Sequence, residues 1–210
     1  MFTLTNSYLF LLAALVLLLT PGPAVLYIVA RSVDQGRVAG LISVLGIEIG
    51  NSVHVLAAVL GLSAILMSSA LAFATVKYLG AAYLIYLGLH RLFAHDSVHP
   101  VANLQPRSRQ RILFQAVLVA VLNPKTALFF FAFLPQFIDP SQGSVTGQLL
   151  AFGCLFVLMA IVTDGLYALL AGTLGKWLKS TRFFLRIERY VTAAVYICLG
   201  VTAGLAEVKH

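Results

Sequence analysis

The chain has 210 residues, of which 60% are apolar and only 10% charged, and its mean hydropathy is strongly positive. A soluble domain carries roughly a quarter charged residues, so this composition excludes one and points to an integral membrane protein. The formal net charge of +7 would suit a nucleic-acid partner, but most of the basic residues gather at alternate loops, which argues against one.

Six stretches are long and apolar enough to span a bilayer, at about 6–30, 38–66, 70–92, 112–138, 147–173 and 186–206. The first has no basic leader and runs directly into Thr20-Pro21-Gly22-Pro23 and more apolar sequence, so it reads as a retained span and not a signal peptide. Proline removes a backbone donor and clashes with the preceding turn. In hydrocarbon the freed carbonyl has no water to bond, so such a break survives only where it is packed in protein or lines a cavity. Thr20 is a favoured N-cap type and Pro21 suits a first helical position, which predicts a fresh half-helix opening there.

The second span carries Glu48, Asn51 and His54, three residues apart and therefore on one helical face. Ionisable groups at bilayer depth are costly, so that face is expected to point inward. Lys77 and Arg91 lie near the ends of the third span, where they can snorkel to the interface. A linker over about 94–111 holds Pro100, Pro106, His95, His99 and several arginines; it reads as a loop whose charge can meet anionic lipid headgroups. The fourth span is interrupted by Asn123-Pro124-Lys125, again an N-cap type followed by proline, and the fifth carries Asp164. Cys154 and Cys198 sit in the fifth and sixth spans and give no disulfide framework. No metal-ligand spacing of Cys and His occurs, and no cofactor is implied.

Arg31 and Arg37 flank the first loop, Arg91, Arg107, Arg109 and Arg111 bound the third, and Lys176, Lys179, Arg182, Arg186 and Arg189 bound the fifth. The second and fourth loops have no Lys or Arg, so the odd loops are expected in the cytoplasm and both termini outside.

The third and sixth spans match each other. Lys77-Tyr78-Leu79-Gly80-Ala81-Ala82-Tyr83-Leu84-Ile85-Tyr86-Leu87-Gly88 recurs as Arg189-Tyr190-Val191-Thr192-Ala193-Ala194-Val195-Tyr196-Ile197-Cys198-Leu199-Gly200, with Tyr, Ala-Ala, Ile and Leu-Gly each 112 residues on. Thr20-Pro21 and Asn123-Pro124 correspond at a shift of 103. An odd number of spans per copy inverts the second copy in the membrane, as in many secondary transporters. The expected fold is therefore all-α: six transmembrane helices in two inverted three-helix repeats, with the first and fourth broken at proline. The repeats occupy 1–93 and 112–210, joined by the 94–111 loop.

Counting about 1.5 Å per residue from the basic ends of their spans, Pro21, Pro124, Glu48 and Asp164 all fall roughly 14–18 Å deep, near the middle of a core about 30 Å thick. Matched breaks at that depth mark the binding site of a secondary transporter. Thr20, Pro21, Gly22, Pro23, Asn51, Asn123, Pro124 and Lys125 are the candidate substrate-binding residues: the half-helix starts and Lys125 suit a carboxylate. Glu48, His54 and Asp164 are the candidates for proton or ion coupling. Either carboxyl suits an ammonium group or a proton, because burial disfavours a bare charge. Gly46, Gly50 and Gly61 permit close helix contact within one subunit or between two, which leaves a homodimer open.

With these residues in view, the chain resembles the LysE/RhtB amino-acid exporters, small six-span proteins of the bacterial inner membrane. The likeness rests on Thr20-Pro21-Gly22-Pro23, Gly36-Arg37-Val38-Ala39-Gly40, the Lys77–Gly88 stretch, Asn123-Pro124-Lys125 and Phe133-Leu134-Pro135-Gln136-Phe137. The resemblance implies export of amino acids in exchange for protons, with no enzymatic activity. Lysine-exporting members carry an acid at the position of Asn51, whereas the Glu48–His54 stretch here is more similar to the homoserine/threonine-type branch, which favours a neutral or small polar substrate. The alternative is export of a divalent metal or another small metabolite on the same scaffold. A membrane redox carrier would need a symmetric thiol pair, and an intramembrane enzyme a nucleophile–base or metal-ligand pattern; neither is present in the sequence.

Overall fold

The computed structural model describes residues 4–68 and 107–178, together with the isolated helical positions 75, 78, 79, 82, 85, 86, 89, 92, 93, 190, 194, 197, 198 and 201. The third and sixth expected spans, the match between them, Lys77, Arg91 and most of the 94–111 linker lie outside the described residues. Among the described residues every regular element is helical.

The first helix, α1, covers Leu4–Leu19, and α2 covers Pro23–Ser68. At 16 residues α1 is about 24 Å long, short of a hydrocarbon core about 30 Å thick. The first apolar stretch is thus broken, as expected, but the helix reopens at Pro23 and not at Pro21. The reason lies in Thr20. Its hydroxyl donates back to the Val16 carbonyl at 2.7 Å and its N–H to the Val16 and Leu17 carbonyls at 3.1 Å, so Thr20 closes α1 and does not cap the next helix.

α2 is two arms, 23–35 and 37–68, meeting at Gly36 (φ 83°, ψ 177°), a conformation open to glycine and strained for any residue with a Cβ. A straight helix would set residues 32 and 40 about 12 Å apart. Instead a Cβ on Gly40 would lie 2.0 Å from the Ser32 hydroxyl, so the arms fold back on each other as a tight hairpin.

Helix α3 (Arg109–Val121) opens with the Ser108 hydroxyl accepting from the Arg111 N–H. It stops at Asn123, and α4 (Pro124–Leu128) starts there with proline in the first turn. Here the sequence reading holds in detail: the Asn123 side chain accepts from the Lys125 N–H at 3.1 Å. A π turn over Phe129–Phe133 and a 3₁₀ turn over Leu134–Phe137 carry the chain on. The last long helix, α5, covers Val145–Leu178.

Pro23–Gly61 within α2 and Val145–Thr173 within α5 are long and apolar enough to cross a membrane. Arg109–Val121 with Pro124–Phe137 makes a third such segment, bent by 43° at its break.

The second arm of α2 lies very close to α3. Cβ atoms on Gly46 and Gly50 would sit 2.5 and 2.4 Å from the Cβ atoms of Ala116 and Ala120, so glycine on one helix and alanine on the other set the spacing within the chain. A Cβ on Gly61, by contrast, would meet none of the described residues. On the far side of the breaks, Phe10, Phe129, Phe130, Phe133, Phe137, Phe152 and Phe156 form a buried aromatic plug. Phe10 and Phe152 have centroids 4.6 Å apart, and Phe129 and Phe156 4.9 Å apart. Each such pair contributes about 0.5–1.5 kcal/mol beyond its buried area.

Candidate functional site

Three prolines at the two breaks orphan three carbonyls, those four residues earlier: Leu17 for Pro21, Leu19 for Pro23 and Ala120 for Pro124. Each finds a replacement donor. The Leu17 carbonyl takes the Thr20 N–H. The Leu19 carbonyl takes the Tyr167 hydroxyl at 2.9 Å, from α5. The Ala120 carbonyl takes the Asn123 N–H at 3.0 Å and, also at 3.0 Å, His54 Nε2 from α2. A donated proton fixes His54 as the tautomer protonated at Nε2. At the end of α1 the Thr20 carbonyl is also without a helical partner, and the Lys125 ammonium donates to it from the other break.

These contacts draw the breaks together around a cavity of about 30 Å³. Its polar lining is Asn51, Asn123, Lys125, Thr126 and Asp164, with Gly22, Leu17, Ile47 and Phe156 closing it. That volume holds about two waters and is too small for an amino acid without movement of the walls.

The polar groups are ordered by one another. Asn51 Nδ2 donates to Glu48 Oε2 at 3.0 Å, confirming that the two share a face, and Asn123 Nδ2 donates to the Thr126 hydroxyl at 3.1 Å. Glu48, at 6% exposure, keeps its other carboxyl oxygen buried without a hydrogen bond. Asp164, at 3% exposure, interacts electrostatically with both Glu48 and Lys125. Two carboxyls and one ammonium therefore sit in one buried site, where bare charge is expensive and pairing is required. Gly22 makes room for the lysine: a Cβ there would lie 3.1 Å from Lys125 Cδ.

Of the residues proposed from sequence, Gly22, Asn51, Asn123, Lys125 and Asp164 line the cavity. Thr20, Glu48 and His54 are buried beside it. Pro21 is half-buried, while Pro23 and Pro124 are exposed and shape the breaks without facing the cavity. Thr126 and Tyr167 were not singled out; the only signals were proximity to Lys125 in one case and a spacing of three residues from Asp164 in the other. Arg31, read as a loop-flanking charge, is fully buried. Cys154 and Cys198 have exposed side chains and do not line the cavity. Among the described residues no three His, Cys, Asp or Glu side chains converge.

The chain matches the family model described as LysE type translocator over residues 15–206. It is 30% identical to the homoserine/homoserine lactone efflux protein of Salmonella typhimurium, with 96% of each chain covered. It is 33% identical to an uncharacterized membrane protein of Vibrio cholerae over 86% of this chain and 87% of that one. An uncharacterized membrane protein of Bacillus subtilis, YrhP, is 30% identical over 92% of this chain and 95% of its own length. No solved structure matches.

Proposed function

The chain belongs to the LysE type translocator family and is a transporter, not an enzyme; we propose that it exports amino acids, neutral or small polar ones, across the bacterial inner membrane in exchange for protons. The observation that carries this reading is the meeting of Lys125, Asp164, Glu48 and Asn51 at two proline breaks around one cavity. An amino acid presents a carboxylate and an ammonium. The carboxylate takes Lys125 in place of the Thr20 carbonyl, a stronger, charge-assisted partner. The ammonium goes to Glu48 and Asp164. Before it arrives, a proton on one of those carboxyls leaves the other to balance Lys125. The ammonium displaces that proton, and exchange follows. His54 serves the coupling pair by holding the break at Ala120, with its Nε2 already engaged.

The neutral amide of Asn51 beside Glu48 supports a neutral substrate, and the homoserine efflux for which the Salmonella relative is named supports homoserine-like chemistry. The basic residues of the odd loops support an orientation with both termini in the periplasm. The six-span inverted repeat supplies the alternation between faces.

Counterflow in proteoliposomes loaded with a panel of labelled amino acids, with and without a pH gradient, tests the proposal. Gradient-driven exchange of homoserine or another neutral amino acid is expected. If no amino acid moves, the reading fails, and a divalent cation or another small metabolite becomes the cargo to test.

A further inference from the structure

Among the described residues, Arg31 is a buried cation that hydrogen-bonds to no acidic side chain. It lies on the first arm of α2 at 1% exposure. Nη1 donates to Gln35 Oε1 at 3.1 Å, Nη2 donates to Gln115 Oε1 at 3.4 Å, and the guanidinium lies 5.5 Å from the centroid of the Tyr27 ring. All of these partners are neutral. Nε is buried and makes no hydrogen bond. A buried charge is expected to be paired, and an unpaired one is expensive to keep.

The free edge of the guanidinium has a definite shape. Nε is bare and Nη2 is held only at 3.4 Å, so the Nε–Nη2 edge is available. That edge presents two parallel N–H donors, the geometry that binds a carboxylate through both oxygens. The Gln115 carbonyl acts as a neutral placeholder on that edge. Gln35 is itself anchored, donating to the Arg107 carbonyl at 3.0 Å and accepting from the Arg107 N–H at 3.1 Å. Tyr27 donates to the Ile112 carbonyl at 3.1 Å and leans on Gln115. The layer is therefore preformed around the arginine.

Its place in the fold is equally specific. Ala24, which lines the cavity, shares one helical stripe with Tyr27, Ile28 and Arg31. Arg31 is eight residues from Pro23, and Gln115 eight residues from Asn123, so both stand about 12 Å from the break layer. The basic loops put that side of the cavity toward the cytoplasm, where cargo for export enters.

We propose that Arg31 is a second carboxylate-binding point, on the cytoplasmic approach to the cavity, whose Nε–Nη2 edge exchanges the Gln115 amide for the substrate carboxylate before Lys125 receives it, while Gln35 keeps hold of Nη1. The proposal rests on the export reading. Arg31 selects zwitterionic or anionic cargo at entry, and Lys125 holds it at the centre.

The test is transport of labelled homoserine by Arg31→Gln and Arg31→Lys in membrane vesicles of defined orientation, measured from each face. Homoserine lactone, which keeps the amine but has no free carboxylate, is the companion probe. Arg31→Gln is expected to raise half-saturation for homoserine at the cytoplasmic face at least about tenfold, as loss of a charge-assisted bidentate contact would. The periplasmic face, and lactone where it is carried, should stay within about twofold, which also shows that the variant folds. Arg31→Lys should recover part of the loss, keeping the charge without the fork. Equal loss at both faces, no loss at either, or the same shift for lactone overturns the assignment and leaves the export reading standing. If the unsubstituted protein carries no homoserine or other amino acid, the export reading fails first and Arg31 falls with it.

Discussion

Lys125, from the second break, donates its ammonium to the main-chain carbonyl of Thr20 at the first. The contact ties the two halves of the chain at the cavity wall and gives the lysine a neutral partner that a substrate carboxylate can replace. Lys125→Gln should therefore lower amino-acid counterflow at least about a hundredfold, since a charge-assisted contact is lost with the substrate and a buried carbonyl loses its donor. Retention of counterflow within about threefold would remove Lys125 from the binding site.

Under the proposed mechanism, substitutions at Glu48 and Asp164 should separate exchange from drive. Each interacts with the other, and Asp164 also with Lys125. Glu48→Gln or Asp164→Asn should abolish acceleration by an imposed pH gradient while homoserine–homoserine exchange persists within about tenfold, because an amide keeps the shape and loses the proton site. Full gradient-driven export by both variants would end the proton-coupling assignment.

His54 and Pro124 are linked through one carbonyl. Pro124 denies Ala120 its helical donor and His54 supplies one at 3.0 Å. His54→Ala should cost about 1–3 kcal/mol in denaturant unfolding in detergent, the penalty of an under-satisfied buried carbonyl. Pro124→Ala restores an N–H at the right place, so the double variant should be more stable than the two single losses predict, by about 1 kcal/mol. Additive losses would show that His54 acts elsewhere.

Two glycines on the same arm should respond oppositely to alanine. A Cβ on Gly50 would lie 2.4 Å from Ala120 Cβ and 2.9 Å from the Val117 carbonyl, so Gly50→Ala should destabilise by about 1–3 kcal/mol through forced separation of α2 and α3. A Cβ on Gly61 would have none of the described residues within 4 Å, so Gly61→Ala should be neutral or stabilising by up to about 1 kcal/mol from helix propensity. Thermal unfolding of the two variants side by side decides it.

Much of the site could be read from the residues. Asn123-Pro124 announced its own cap, because an Asn followed by proline has one good helical use, and a fixed rise per residue set Glu48 and Asp164 level with the breaks, where the two carboxyls meet beside the cavity. Thr20-Pro21-Gly22-Pro23 was harder. It offers two prolines as helix starts, and only the folding back of the Thr20 hydroxyl onto Val16 decides for Pro23. Arg31 was misjudged for a related reason: a charge near a loop looks solvated until Gln35 and Gln115, distant in sequence from each other, are seen around it. Spacing put Glu48 and Asn51 on one face, as their hydrogen bond shows, but it does not show which neutral groups a neighbouring helix will supply.

Four donors that cross between distant parts of the chain land on main-chain oxygens: at the breaks Lys125 on Thr20, Tyr167 on Leu19 and His54 on Ala120, and nearer the start of α3 Tyr27 on Ile112. Every residue type carries that acceptor. As acceptors, positions 19, 20, 112 and 120 need only their main-chain oxygen, so within each of these bonds the donor half alone is under chemical constraint; the Thr20 hydroxyl and the small Ala120 side chain are fixed by other contacts. Pairwise covariation, which tracks compensating side chains, would pass over these long-range ties between the two halves even as they hold the cavity together.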